Sequence, residues 1–196
     1  MTTRKRRKTV YYSVDGEGNL YWKDLQKQKH VVPGDESLCD LELMQITFDS
    51  SEYKKEITER YLFEFVDAAE DTIILGLNRY AHLAHIFCNK LLNTDVSRKI
   101  DIGFYGKKED DTWRRYSVVE QDRRVIKVKY QLSEFPGIID GSNVKRSQFF
   151  EEKIKEVIEK LSDVSVPVVK DSAGVLEDTG TISAASLNDK DEVPWD

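Results

Sequence analysis

The sequence predicts a mainly β fold, a small Greek-key barrel of short strands with one helix among them, followed by a second helix and an acidic tail. Three observations predict it. Runs of strand length, rich in aromatic and β-branched residues, recur through residues 60–132. One segment among them, residues 80–92, has a helical instead of an alternating period, with Leu83, Ile86, Phe87 and Leu91 three or four residues apart. Acidic and glycine-containing turn signals separate the runs.

Taken in order, residues 9–12 and 20–22 flank Asp15-Gly16-Glu17-Gly18-Asn19 and read as a hairpin. That loop lacks the ligand spacing and the terminal bidentate Glu of a calcium loop, so its acids and glycines are turn chemistry. Residues 31–35 make a second turn. Residues 38–48 read as a strand with neither face cleanly polar, and the charged residues 52–59 as a loop or a short helical turn. Residues 60–66 and 72–77 are strands joined by a turn built on Asp67, Glu70 and Asp71. After the helix, residues 99–105, 113–120 and 123–132 return to strand character, and Pro136-Gly137 ends the sheet region. Residues 147–161 read as the second helix, with Ser147 as N-cap and Phe150, Ile154, Val157, Ile158 and Leu161 as one apolar stripe. Such a stripe docks on its own domain or on a second copy or partner.

Charge is unevenly distributed. The chain of 196 residues carries a net charge of −6. Residues 162–196 hold eight acids against Lys170 and Lys190, which accounts for all of it and leaves residues 1–161 neutral. Arg4-Lys5-Arg6-Arg7-Lys8 forms a basic arm that reads equally as a nucleic-acid contact, a targeting signal or a solubilising end. No apolar run reaches the 18 or so residues of a membrane span, and two cysteines, Cys39 and Cys88, imply free thiols in a reducing compartment. The expected location is cytoplasmic.

The sequence carries no phosphate-cradling glycine loop, dinucleotide fingerprint or paired-cysteine motif, and no cofactor is expected. His82, His85 and Cys88 recur every three residues on the first helix. A zinc site there needs a fourth ligand, Cys39 or His30, and Cys88 reads more simply as a small buried hydrophobe. The late strands carry more. Residues 107–130 hold eight Lys/Arg against five Asp/Glu, and Arg123, Lys127 and Lys129 alternate with apolar residues. Tyr105, Lys107, Lys108, Trp113, Arg114, Arg115 and Tyr116 crowd rings and cations around one hairpin, with Trp22 as a further ring. Cations for phosphates and flat rings for bases are what single-stranded nucleic acid requires. Core aromatics on a solvated hairpin explain the same residues equally well.

The chain ends in acids followed by Val193, Pro194, Trp195 and Asp196. With the order strand, strand, LNRYAHLAHIFCNKLLN helix, KIDIGFYGKK strand and VIKVKYQLSEFP strand, it resembles the single-stranded-DNA-binding proteins of bacteria and their phages. The resemblance covers residues 38–136 and the last eight. The expected organisation is a flexible arm at residues 1–8, a domain at 9–137, an amphipathic helix at 138–161 and, by composition, a disordered acidic tail at 162–196, and the resemblance implies that the domain is an OB-fold-like barrel. It further implies non-catalytic, sequence-independent binding of single-stranded DNA in replication, recombination or repair. The tip Asp191, Glu192, Val193, Pro194 and Trp195 would then recruit partner proteins. An interaction adaptor with a basic targeting arm, or a small nucleic-acid enzyme, are the competing readings.

Overall fold

Nine strands and two helices organise the described residues, 7–34, 36–53, 55–139 and 142–164 of the computed structural model. In chain order they are β1 (Thr9–Val14), β2 (Leu20–Lys23), β3 (Lys29–Val31), β4 (Leu38–Tyr53), β5 (Glu56–Val66), β6 (Thr72–Asn78), α1 (His82–Leu91), β7 (Ile100–Glu109), β8 (Thr112–Gln121), β9 (Arg124–Val125) and α2 (Val144–Val164). The strands form one sheet in the order β3-β2-β1-β6-β5-β4-β7-β8-β9. The fold is therefore mixed α and β, strand-rich, with an open sheet.

Alternation decides the core face. In β5, Tyr61, Phe63 and Phe65 point inward between Arg60, Leu62 and Glu64, and in β6 Ile73, Leu75 and Leu77 do the same. Register puts these in rows: Tyr61 opposite Leu77, Phe63 opposite Leu75, Phe65 opposite Ile73. Leu83, Phe87, Cys88 and Leu91 of α1 and Phe150, Ile154 and Val157 of α2 join the same cluster. Phe63 and Phe87 meet edge-on with centroids 4.9 Å apart. Each fully buried large side chain here is worth about 1.5–3 kcal/mol. Between β5 and β6 the Asp67 carboxylate accepts from the amides of Ala69 and Asp71, which is the turn chemistry expected there.

The expected barrel does not close. Closure requires β8 to reach β6, but the free edge of β6 is taken by β1, which pairs with it in parallel from Thr9↔Thr72 to Ser13↔Gly76. On its other side, among the described residues, β8 pairs only with the two-residue β9. The β1–β2 turn reaches across instead and lies directly on β7. Gly18, at φ +89°, has no Cβ to collide with Tyr105 and Gly106, and a Cβ on Gly106 would fall 1.6 Å from the Glu17 carbonyl oxygen. Backbone meets backbone here.

Three local expectations need correction. Residues 52–59 are neither loop nor helix: β4 and β5 run on as a ribbon to Tyr53↔Glu56 around a left-handed Lys55. Residues 123–132 are not a long strand. Asp122 and Arg123, both at positive φ, make a two-residue turn into β9, and the chain then leaves the sheet. It is held against α1 by side chains: Asn89 donates to the Tyr130 carbonyl and accepts from its amide, each at 2.8 Å, and Asn93 donates to the Lys127 carbonyl at 3.2 Å. Buried asparagine thus replaces a strand ladder. Finally, α2 starts three residues before Ser147, and the Ser142 hydroxyl accepts from the Val144 amide.

Ser147 instead joins a buried polar node between α1 and α2. Its hydroxyl donates to the Arg79 carbonyl at 3.0 Å, and His85 Nε2 lies 3.0 Å from that carbonyl and 2.9 Å from the hydroxyl oxygen. A carbonyl only accepts, so Nε2 carries the imidazole proton. Tyr61 donates to the Ser147 carbonyl at 3.3 Å, and the Arg79 guanidinium spans Glu59 and Glu151. Among the described residues no helix is long and apolar enough to cross a membrane.

Two outcomes are expected. Gly106→Ala should destabilise the fold by roughly 1–3 kcal/mol, because the Glu17 backbone must move; a chemical-denaturation midpoint equal to wild type would contradict the close approach. Burial lowers the His85 pKa from 6.5 to about 4. The unfolded chain therefore takes up this proton first as pH falls. The stability linked to neutral His85 is complete above pH 6.5 and is lost towards pH 4, on the order of 3 kcal/mol in all. Urea midpoints measured between pH 7.5 and 5 should fall less for His85→Asn than for wild type. An equal fall in both would remove His85 from the account.

Candidate nucleic-acid interface

The β7–β8 hairpin carries most of the residues singled out above, and its register sorts them. Glu109 pairs with Thr112 across the turn, so Tyr105 faces Tyr116, Lys107 faces Arg114 and Lys108 faces Trp113. Directly opposite residues share a face. Ile102, Phe104 and Val119 are buried, which makes theirs the core face. Lys108, Trp113 and Arg115 share the parity of that face, beyond the core and towards the hairpin end. Tyr105, Lys107, Arg114 and Tyr116 lie on the opposite, outward face.

The outward group is coherent. The Tyr105 and Tyr116 rings stack with centroids 5.1 Å apart and planes within 17°. Tyr105 keeps 40% of its surface exposed. One step along the hairpin, the Lys107 and Arg114 side chains are 67% and 66% exposed and share Glu109 at 3.3 and 2.9 Å. One carboxylate against two cations leaves net positive charge beside the rings. Exposed pairs of this kind contribute little to stability, so displacing Glu109 from either cation would cost little.

The remaining candidates lie elsewhere. Trp113 is half-buried beneath Gly106: a Cβ there would stand 3.1 Å from its ring. It supports the hairpin and does not share the tyrosine face. Lys108 lies 4.0 Å from Asp111. Arg123 occupies the turn at the other end of β8, roughly 30 Å of strand from Arg114 at about 3.3 Å per residue. Lys127 and Lys129 belong to the segment strapped to α1, where Lys129 is 3.9 Å from Glu156 of α2. Trp22 stacks on His30, centroids 4.2 Å apart, near the far edge of the sheet, and His30 is held by Asp24 at 2.9 Å. The tip residues Asp191 to Trp195, and Arg4 to Arg6 of the arm, lie outside the described residues. Of the rest of that arm, Arg7 pairs with Glu70 at 3.1 Å.

The helical His82, His85 and Cys88 do not assemble a metal centre. His85 is committed to Arg79 and Ser147, Cys88 is fully buried among apolar groups that raise its thiol pKa, and Cys39 is exposed. Among the described residues no three His, Cys, Asp or Glu side chains are placed to hold an ion. The sequence reading missed the outward pairing of the two tyrosines. The signal was present in the parity of residues 105 and 116 about a two-residue turn. No family model, curated protein or solved structure matches the chain.

If the outward face stacks bases, Tyr105→Ala with Tyr116→Ala should lower affinity for a dT oligonucleotide by on the order of ten- to a hundredfold, at about 1–3 kcal/mol per stacked base. Lys107→Ala with Arg114→Ala should flatten the salt dependence by about two ions, whereas Lys127→Ala with Lys129→Ala should leave it near wild type. Fluorescence anisotropy across a salt series checks both. The reverse ranking of the two cation pairs would move the site to the α1 strap.

Proposed function

We propose that this protein binds single-stranded DNA without sequence preference and without chemistry, as a coating protein in replication or recombination. The observation that carries the reading is the stacked Tyr105–Tyr116 pair with Lys107 and Arg114 beside it on an open sheet face. Rings give sequence-tolerant stacking, and the cations give affinity by counterion release. The strand order supports it. The run β4 to β8 is arranged β6-β5-β4-β7-β8, with its first strand central and α1 after its third, which reads as an OB-type Greek key opened at one seam.

The acidic tip is the recruiting element in this reading. Trp195, with Val193 and Pro194, enters an apolar pocket on a replication partner, and Asp191 and Glu192 steer it to basic surroundings. The decisive experiment titrates labelled dT and mixed-sequence oligonucleotides with the full chain at several salt concentrations. Similar affinities for both, falling linearly on a log–log plot against salt, are expected. No binding at low salt, or processing of the strand in the same tube, overturns the reading. Trp195→Ala should abolish capture of a purified replication partner while leaving oligonucleotide affinity within about twofold, since the charge is intact. Retained capture would reduce the tip to a solubilising segment.

A further inference from the structure

The seam that β1 keeps open contains a cavity of about 40 Å³. Arg60 of β5 and Arg115 of β8, on strands that no ladder joins, both line it, together with Ser13, Asn78 and Leu83 and Ala84 of the first turn of α1. Among the described residues no carboxylate lines it. We propose that this cavity is a phosphate-binding site; Arg115 lies on the side of β8 opposite the tyrosine pair, so a strand held by that pair reaches the seam by passing over the β8 edge, and its assignment to a strand rests on the DNA-binding reading above.

The chemistry is specific. At about 40 Å³ the cavity is small, which suits a compact anion such as one phosphate group better than a base or a sugar. Two guanidiniums offer planar, two-pronged donors that match phosphate oxygens. Asn78 and Ser13 add neutral donors. The N-terminal end of α1 adds the positive end of a helix, and among the described residues no side chain caps it. Neither the arginines nor Asn78 are idle, since each already interacts with other groups. An entering phosphate therefore joins or displaces an existing contact, and inorganic phosphate alone binds weakly.

The test compares the full-length wild type with the double variant Arg60→Gln, Arg115→Gln. Three probes are used: inorganic phosphate, a dT oligonucleotide with a 5′-phosphate, and the same oligonucleotide without it. Inorganic phosphate at matched ionic strength should raise the melting midpoint of the wild type but not of the double variant. The variant should lose about tenfold in oligonucleotide affinity. Loss confined to the 5′-phosphorylated strand identifies a chain end as the source; equal loss for both identifies an internal phosphodiester. If wild type binds DNA and the folded variant binds both strands as tightly as wild type does, the seam site is wrong and the DNA reading stands. If wild type binds neither strand, the DNA reading fails, and the phosphate-dependent melting shift alone decides the seam. Should the double variant not fold, Arg60→Lys and Arg115→Lys make the same comparison, since lysine keeps the charge and loses the two-pronged donor.

Discussion

The parallel pairing of β1 with β6 is the constraint on which the rest of the structure depends. A strand has two hydrogen-bonding edges, and those of β6 are filled by β5 and β1. With no edge left for β8, the sheet stays open, and the β1–β2 turn bridges to β7 by glycine-to-glycine contact. Two consequences follow. The β7–β8 hairpin is braced at Gly106 by the turn and by Trp113, so its outward tyrosines are presented on a supported strand pair. And the seam between β8 and β6 becomes a lined cavity where a closed barrel would have a ladder.

The helices secure this arrangement by different physics. α1 packs Phe87 and Leu91 into the core, which is apolar burial. α2 adds an apolar stripe, but its register on α1 is fixed by the neutral His85, the Ser147 hydroxyl and the Arg79 carbonyl. A one-residue slip of α2 would turn its stripe about 100° off the core and would leave these groups buried without partners, so apolar and polar contacts specify the same register.

Much of this was legible in the sequence, because local periodicity carries it. The β1–β2 hairpin, β5, β6, α1, β7, β8 and the docking stripe of α2 all announce themselves by alternation, helical spacing or turn chemistry. What was not legible depends on distant partners. Thr9 and Thr72 meet across some sixty residues with no local signal, so the open sheet replaced the expected barrel. Residues 123–132 alternate as a strand should, yet Asn89 of α1 and Asn93 just beyond it bond their backbone at Tyr130 and Lys127. Ser147 has the chemistry of an N-cap, and tertiary contact with His85 gives it another use. For the candidate site, the cluster at residues 105–116 was visible as composition. Its division into an outward pair of tyrosines and a supporting Trp113 required the register that Glu109↔Thr112 sets.

The central claim is that single-stranded DNA lies on the outward face of β7 and β8. Hydrogen-exchange mass spectrometry of the full chain, with and without a saturating dT oligonucleotide, tests it most directly. Backbone amides from Tyr105 to Tyr116 should slow on binding, with a second protected stretch at the start of α1 and little change in the α1 strap or α2. Protection concentrated at residues 126–131 and along α2, with the β7–β8 hairpin unchanged, would contradict the account.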